Sequence, residues 1–315
     1  MNKKVIAISI GDLNGIGIEI AFKAHKEVCQ IAKPIYCISQ EMLLHSSKRL
    51  GLTLPSDINT YPIKGAFNIK PGEICAQSGL YSYNSFHKAI RLCEKKIADA
   101  LVTLPIHKEA WYDAGIDYKG HTDMLRDWFK KEAIMMLGCE KMYVALYTEH
   151  IPLKQVAKNI KTKKLTRFLI DLSRDIKADK VAVLGLNPHA GDGGVLGNEE
   201  KKILKAIKKA NLFIDKELFY GPMVPDTCFT KEMRKEYKHF VAMYHDQGLI
   251  PLKALHFDES VNISLNLPII RTSVDHGTAF DIAYQDKGPS IKSYLNAVKL
   301  AVSQSNSKQK QQFST

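Results

Sequence analysis

Apolar residues in this chain gather in short continuous runs, separated by longer stretches where they recur every three or four positions. The runs Val5 to Ile10, Ile35 to Ile38, Ala100 to Leu104, 133–138, 142–148 and Val181 to Leu186 have the length and composition of buried strands. So does the run that opens with Val241-Ala242-Met243. Between them, Tyr83, Phe86, Ile90, Cys93 and Ile97 fall at helical spacing and predict a core-facing stripe. Ser39 can cap a helix that Gly51 ends. Residues 152–160, 163–176, 198–210 and 290–303 also predict helices, with another from about 279. Residues 52–78, which contain Pro55, Pro62 and Pro71, predict irregular backbone, and Gly221-Pro222 and Pro225-Asp226 punctuate a loop. No internal repeat is present. The alternation of strands with helices predicts a doubly wound α/β protein.

The length of 315 residues suggests about two domains at roughly 150 residues each. We expect residues 1–302 to form one catalytic unit of two intertwined α/β subdomains, with 303–315 as a polar C-terminal tail. No apolar run approaches the roughly 18 to 20 residues of a membrane span. The first apolar run is too short for a signal sequence, so a cytoplasmic protein is expected. The formal charge of +12 raises nucleic-acid binding, but only seven of the 45 basic residues are Arg and no basic stripe is interleaved with aromatics. Solvated Lys faces account for most of the charge, with attraction of an anionic substrate as a further use. The six cysteines contain no C-x-x-C pair and read as reduced, mostly buried residues.

Candidate chemistry sits where the apolar runs stop. The run 142–148 leads to Glu149-His150, Val181 to Leu186 leads to Asn187-Pro188-His189, and Val241 to Tyr244 leads to His245-Asp246-Gln247-Gly248. Ligands of open α/β sheets bind beyond the carboxyl ends of strands. One strand-end histidine is as readily a solvated turn residue. Three of them, His150, His189 and His245, can share a divalent metal and leave positions open for substrate. The Gly-rich run Asn187 to Gly194 suggests backbone that approaches a ligand closely. Gly11-Asp12-Leu13-Asn14-Gly15-Ile16-Gly17 is a tight turn before a helix, but its glycine spacing is not that of a dinucleotide fingerprint. Thr122 or Asp123, in Gly120-His121-Thr122-Asp123, caps a short helix. The start of that helix either holds an anion with His121 and Thr122 or is plainly capped.

Together, Gly11-Asp12, Gly15-Ile16-Gly17, Glu19, Gly120-His121-Thr122, Thr148 to Leu153, Leu184 to Gly191, Tyr244 to Gly248 and Arg271 to Ala279 closely resemble the 4-hydroxythreonine-4-phosphate dehydrogenase family of pyridoxal 5′-phosphate biosynthesis. The likeness runs from the first strand to about residue 301 and is poor over 55–78. It implies two α/β/α domains of the isocitrate/isopropylmalate dehydrogenase type, with the site in the interdomain cleft. It implies a homodimer with shared active sites. By resemblance, His150, His189 and His245 bind the metal (Zn, Co, Mn or Mg). His121, Thr122, Lys253, Asn262 and Arg271 bind a small phosphorylated amino-acid substrate. His276, Gly277, Thr278 and Ala279 form the loop for NAD or NADP. Leu13-Asn14 and Ile18 stand where the family usually has Pro-Ala and Pro.

The implied reaction is oxidation of the C3 hydroxyl of 4-phosphooxy-L-threonine, followed by loss of CO2. Lys253 would stabilise an alkoxide or bind phosphate, and Asp246 would orient a ligand histidine or act as a further metal group. Arg271 suits bidentate binding of a carboxylate or phosphate. The rival readings are a dehydrogenase of another phosphorylated or hydroxylated acid and, more remotely, a phosphate acyltransferase.

Overall fold

A computed structural model of the chain describes residues 3–285 and 288–312. It divides into two compact units, one of residues up to 131 together with those from 267 onward, the other of residues 132–266. The first unit opens with β1 (Val5–Ser9), α1 (Gly17–Ile31), β2 (Lys33–Cys37), α2 (Gln40–Leu50) and β3 (Thr60–Tyr61). It continues with α3 (Ala76–Glu94), β4 (Ala100–Thr103), α4 (Lys108–Asp113) and α5 (His121–Phe129). The second unit contains β5 (Ile134–Cys139), β6 (Met142–Leu146), α6 (Leu153–Asn159), α7 (Thr162–Asp175), β7 (Val181–Leu184) and α8 (Glu199–Ile214). It is completed by β8 (Phe219–Met223), α9 (Lys231–Glu236), β9 (His239–Ala242), α10 (His245–His256) and β10 (Val261–Leu265). The chain then returns to the first unit with β11 (Arg271–Val274) and α11 (Lys292–Gln312), which runs on through the polar stretch after 302.

In the first unit the strand order is β3-β2-β1-β4-β11, and all neighbours are parallel. Its central strands are continuous apolar runs because helices cover both faces of a parallel sheet; Ile6, Ala7 and Ile8 of β1 are fully buried. In the second unit the order is β10-β5-β6-β9-β7-β8. Here β10–β5 and β5–β6 are antiparallel, whereas β6–β9, β9–β7 and β7–β8 are parallel. Val144, Leu146, Leu184, Phe240, Leu249 and Leu252 form the core under that parallel part. The α/β class read from the apolar runs is the class observed.

Several local expectations need correction. The helix expected from about 279 is only a 3-10 turn, Phe280–Ile282. It is flanked by left-handed residues, Ala279 (φ 42°) and Tyr284 (φ 60°), which break a helical path. The segment around Gly221-Pro222 is strand β8 rather than loop. It lies at the sheet edge, beside a register shift at Ala182/Leu184, where a proline without an N–H is tolerated. Ile97, expected on the buried stripe of α3, lies beyond that helix and is exposed.

The ends of α2 follow the local rules. Ser39 accepts a hydrogen bond from the Met42 N–H at 3.3 Å, and Gly51 closes the helix in the left-handed region (φ 63°). Ser39→Ala should therefore lower the unfolding free energy by about 1 kcal/mol. Gly51→Ala should cost about 1 kcal/mol through backbone strain alone, because nothing lies within 4 Å of the added Cβ. Urea unfolding followed by circular dichroism checks both; unchanged midpoints would contradict these capping roles.

Candidate active site

In the second unit, β9 lies between β6 and β7 and is parallel to both, with Leu146 level with Ala242 and Val183 level with Val241. Three carboxyl ends therefore emerge side by side. His150 lies beyond β6, His189 beyond β7, and His245 begins α10 directly after β9. Two side chains hold these ends together. Gln247 accepts from the Met243 N–H and donates to the Gly185 carbonyl, both at 2.7 Å. The Thr148 hydroxyl donates to the Met243 carbonyl at 2.6 Å. At Gly248, α10 crosses the sheet so closely that a Cβ would stand 2.4 Å from Val144 Cγ1.

The donor chemistry fits a divalent ion. The His150 and His245 rings are 5.6 Å apart between centroids. Two imidazoles on one ion, each with a metal–nitrogen bond of about 2.0–2.1 Å, place their centroids about 5 to 6 Å apart. His245 Nδ1 lies 2.7 Å from Asp246 Oδ1. A carboxylate there favours the Nδ1–H tautomer and leaves Nε2 with a lone pair for a metal. The three strand-end histidines together form a more open group. Among the described residues, the groups whose ligand atoms all lie within 4.8 Å are His25/Cys29/Asp57 and Cys139/His256/Glu259, not the three strand-end histidines.

His189 belongs to a run of left-handed backbone, with φ of 51° at His189, 51° at Ala190, 82° at Gly191, 42° at Asp192 and 65° at Gly193. Non-glycine residues in that region cost roughly 1–2 kcal/mol each, and such strain concentrates at ligand sites. Glu200 holds the loop from below. Its carboxylate accepts from the Leu186 and Asn187 N–H groups at 2.9 and 2.8 Å and from Asn187 Nδ2 at 3.0 Å. Burial pushes the Glu200 carboxyl up, but these hydrogen bonds outweigh it, so the net shift is downward.

Lys253 and Asn262 belong to the same unit. Lys253 lies farther along α10, with its ammonium 5.4 Å from the centroid of the Phe257 ring. Asn262, half-buried, pairs in register with Leu137.

The first unit gathers a different set. Arg271 opens β11, is 2% exposed, and donates from Nη2 to Thr103 Oγ1 at 2.7 Å. Burial lowers its pKa to about 9, so it remains a cation at neutral pH. His121 stands edge-on to Phe86 and Trp111, with centroid distances of 4.6 and 5.8 Å. Burial, and then the Arg271 charge, hold its pKa well below the usual histidine value. His121 is thus neutral, with a buried Nε2 that has no protein partner. The cap of α5 is Gly120, rather than Thr122 or Asp123, and no side chain caps it. Asp123 instead accepts from the Lys119 N–H at 3.1 Å. Thr122 lies buried inside the first turn. A helix start without a side-chain cap, a neutral imidazole and a buried guanidinium make a set suited to an anion.

The loop His276-Gly277-Thr278-Ala279 meets the N-terminal glycine turn. The Ile16 N–H donates to the Thr278 carbonyl at 3.0 Å, and a Cβ on Gly15 would stand 2.8 Å from that oxygen. Tyr284 Oη donates to the Leu13 carbonyl at 2.7 Å. Two motifs far apart in sequence thus form one surface.

Sequence reasoning overlooked His107 and quoted Asp12 only as part of a motif, without a role. His107 follows β4 as the other histidines follow their strands, so the same signal could have selected it. Its ring stacks on Phe280 at 4.9 Å, and its buried Nδ1 has no partner. Asp12 is fully buried, accepting from the Asn14 N–H at 2.9 Å and the Ser78 hydroxyl at 3.0 Å. Burial raises its pKa despite these bonds. A carboxylate inside an apolar turn was its sequence signal.

Two α/β units with polar groups collected at strand ends and at an uncapped helix start have the organisation of an α/β enzyme. A family model described as "Pyridoxal phosphate biosynthetic protein PdxA" matches residues 20–301. The 4-hydroxythreonine-4-phosphate dehydrogenase of Sulfurimonas denitrificans is 61% identical, with 96% of this chain and 98% of the relative covered. That of Campylobacter fetus is 53% identical, again with 96% and 98% covered. The crystal structure of the Klebsiella pneumoniae enzyme of that name superposes with a TM-score of 0.83 at 33% identity, covering 96% of this chain and 98% of that one. The chain belongs to the PdxA family of pyridoxal phosphate biosynthetic proteins, as its motifs led us to expect.

The His121 environment sets a pH dependence. Its folded pKa lies below the unfolded value of about 6.5, so the unfolded chain binds more protons as pH falls through that range. Stability is lost from about pH 6.5 downward, toward the folded pKa. His121→Asn should lose less stability than wild type between neutral pH and pH 5. Parallel urea curves for the two proteins over this range would contradict the burial of a neutral imidazole.

Proposed function

We propose that the chain is a metal- and nicotinamide-dependent dehydrogenase of 4-phosphooxy-L-threonine. The substrate's C3 hydroxyl loses its proton, and C3 gives hydride to NAD or NADP. The product, 2-amino-3-oxo-4-phosphooxybutanoate, is a β-keto acid that loses CO2 to give 3-amino-2-oxopropyl phosphate. The observation that carries this reading is the placement of His150, His189 and His245 on three level strand ends, in a chain whose near-full-length relatives bear this enzyme's name.

In this reading the three imidazoles hold a divalent ion, with Zn²⁺, Co²⁺ and Mn²⁺ better suited to such donors than Mg²⁺. When bound, the ion supplies Lewis-acid polarisation of the C3 hydroxyl. Asp246 keeps the His245 ring in the tautomer that presents Nε2. Lys253 offers positive charge to the C3 oxygen as its proton departs, and Asn262 supplies neutral hydrogen bonds to the substrate. Arg271, His121, Thr122 and the N–H groups at the start of α5 bind the anionic end of the substrate. Neutral His121 donates or accepts there without adding charge. The His276–Ala279 loop, seated on the glycine turn, receives the nicotinamide cofactor.

A homodimer with shared active sites belongs to the same proposal. Exposed apolar side chains flank the histidine loops: Leu153, Val195 and Ile250 are 69, 81 and 67% exposed. Apolar side chains left exposed beside functional loops support an interaction face there. Sedimentation should give about twice the 35.4 kDa chain mass; a fully active monomer would contradict shared sites.

The direct assay follows nicotinamide absorbance with 4-phosphooxythreonine and a panel of other hydroxy acids. Turnover should vanish after chelation and return with Zn²⁺, Co²⁺ or Mn²⁺. Alanine at His150, His189 or His245 should remove most of it. Asp246→Asn should weaken metal affinity about 10- to 100-fold. Arg271→Ala should lower kcat/KM by the equivalent of about 2–5 kcal/mol, the range for truncating one side of a buried charge pair. Full activity in metal-free protein, or a strong preference for another acid, would overturn this reading.

A further inference from the structure

A second group of metal-binding side chains lies in the first unit, apart from every residue assigned above. His25 and Cys29 are one turn apart on α1, and Asp57 comes from the turn between α2 and β3. Their ligand atoms all lie within 4.8 Å of one another. Cys29 Sγ is 3.4 Å from His25 Nε2, and that nitrogen is 3.1 Å from Asp57 Oδ1. A tetrahedral zinc with bonds of about 2.3 Å to sulfur and about 2.0–2.1 Å to nitrogen and oxygen has N···S and N···O edges of about 3.5 and 3.3 Å. The observed separations are those edges within a few tenths of an ångström.

We propose that His25, Cys29 and Asp57 form a binding site for a thiophilic divalent cation, of which Zn²⁺ is the type. One thiolate and one carboxylate neutralise a divalent charge, and the neutral imidazole completes three protein donors. The thiolate selects Zn²⁺ over Mg²⁺ and Ca²⁺. A supporting shell exists. His25 Nδ1 lies 2.9 Å from Tyr36 Oη on β2, so it can donate there while Nε2 faces the ion. The His25 side chain is 2% exposed, whereas Asp57 is 68% exposed, so the site has a buried anchor and an open entry. Lys3 does not compete for the carboxylate; its ammonium donates to the Cys29 carbonyl at 2.6 Å. Burial, then the Asp57 charge, hold the Cys29 thiol protonated in the absence of a cation. Metal binding therefore releases a proton. The ion would tie α1 to the irregular segment between α2 and β3, where local backbone structure is sparse.

The test uses full-length, untagged protein, stripped by chelation and titrated with Co²⁺ as a spectroscopic stand-in for Zn²⁺. Wild type should develop a near-ultraviolet thiolate-to-cobalt charge-transfer band. The band should persist in His245→Ala and Cys139→Ser, disappear in Cys29→Ser and weaken in Asp57→Ala. Zn²⁺ should raise the Tm of metal-free His245→Ala, and this rise should be lost when Cys29→Ser is added. Circular dichroism of metal-free Cys29→Ser, matching metal-free wild type, separates lost binding from misfolding. Absence of the band in wild type would leave only a hydrogen-bonded His25–Asp57 pair and overturn the proposal. Its survival in Cys29→Ser would also overturn the assignment.

Discussion

The parallel pairing of β6, β9 and β7 is the constraint on which the chemistry proposed for the second unit depends. Parallel neighbours send their carboxyl ends to the same edge, and the register makes those ends level. Residues far apart in sequence then emerge along one edge without any local metal-binding motif. Gln247 and Thr148 turn that alignment into a fixed geometry, because each bonds to backbone at a neighbouring strand end. A one-residue slip would misalign the bonds and the histidines together. Tight passage of α10 at Gly248 has the same effect: it sets where the His245–Asp246 pair begins.

In the first unit, desolvation does comparable work. Arg271 is held inside the protein, where a charge is costly, and its presence helps keep His121 neutral. The aromatic walls of Phe86 and Trp111 fix that ring, while an uncapped glycine start leaves the α5 N–H groups for a ligand. Such an arrangement is poor for stability on its own. It is well suited to an anion that arrives with the opposite charge and bonds to the buried His121 Nε2.

Continuous apolar runs made the central strands legible in the sequence, since parallel strands are buried on both faces. The ends of α2 were legible because Ser39 and Gly51 act through purely local geometry. The edge strand β8 was hidden by Gly221-Pro222, and β10 by its mixture of apolar residues with Asn262 and Ser264. The turn after Ala279 was misread because its left-handed residues are not glycines. At the candidate site, the three histidines were visible as a recurrence at run ends. His107 repeats that signal but follows a Pro-Ile dipeptide, which separated it from its strand. The bracing roles of Gln247, Thr148 and Glu200 were not legible, because their partners are mostly backbone groups set by tertiary pairing. The His25–Cys29–Asp57 group was missed for a similar reason: its third member joins only through the packing of a distant turn.

The central claim is that level strand ends bring His150, His189 and His245 to one ion. Anomalous scattering from crystals of full-length protein grown with Zn²⁺ or Mn²⁺ and substrate tests it most directly. The account predicts a metal peak bonded to ring nitrogens of all three histidines, at about 2.0–2.1 Å for Zn²⁺, with the Asp246 carboxylate on His245 Nδ1. A metal peak that excludes any one of these imidazoles would contradict it.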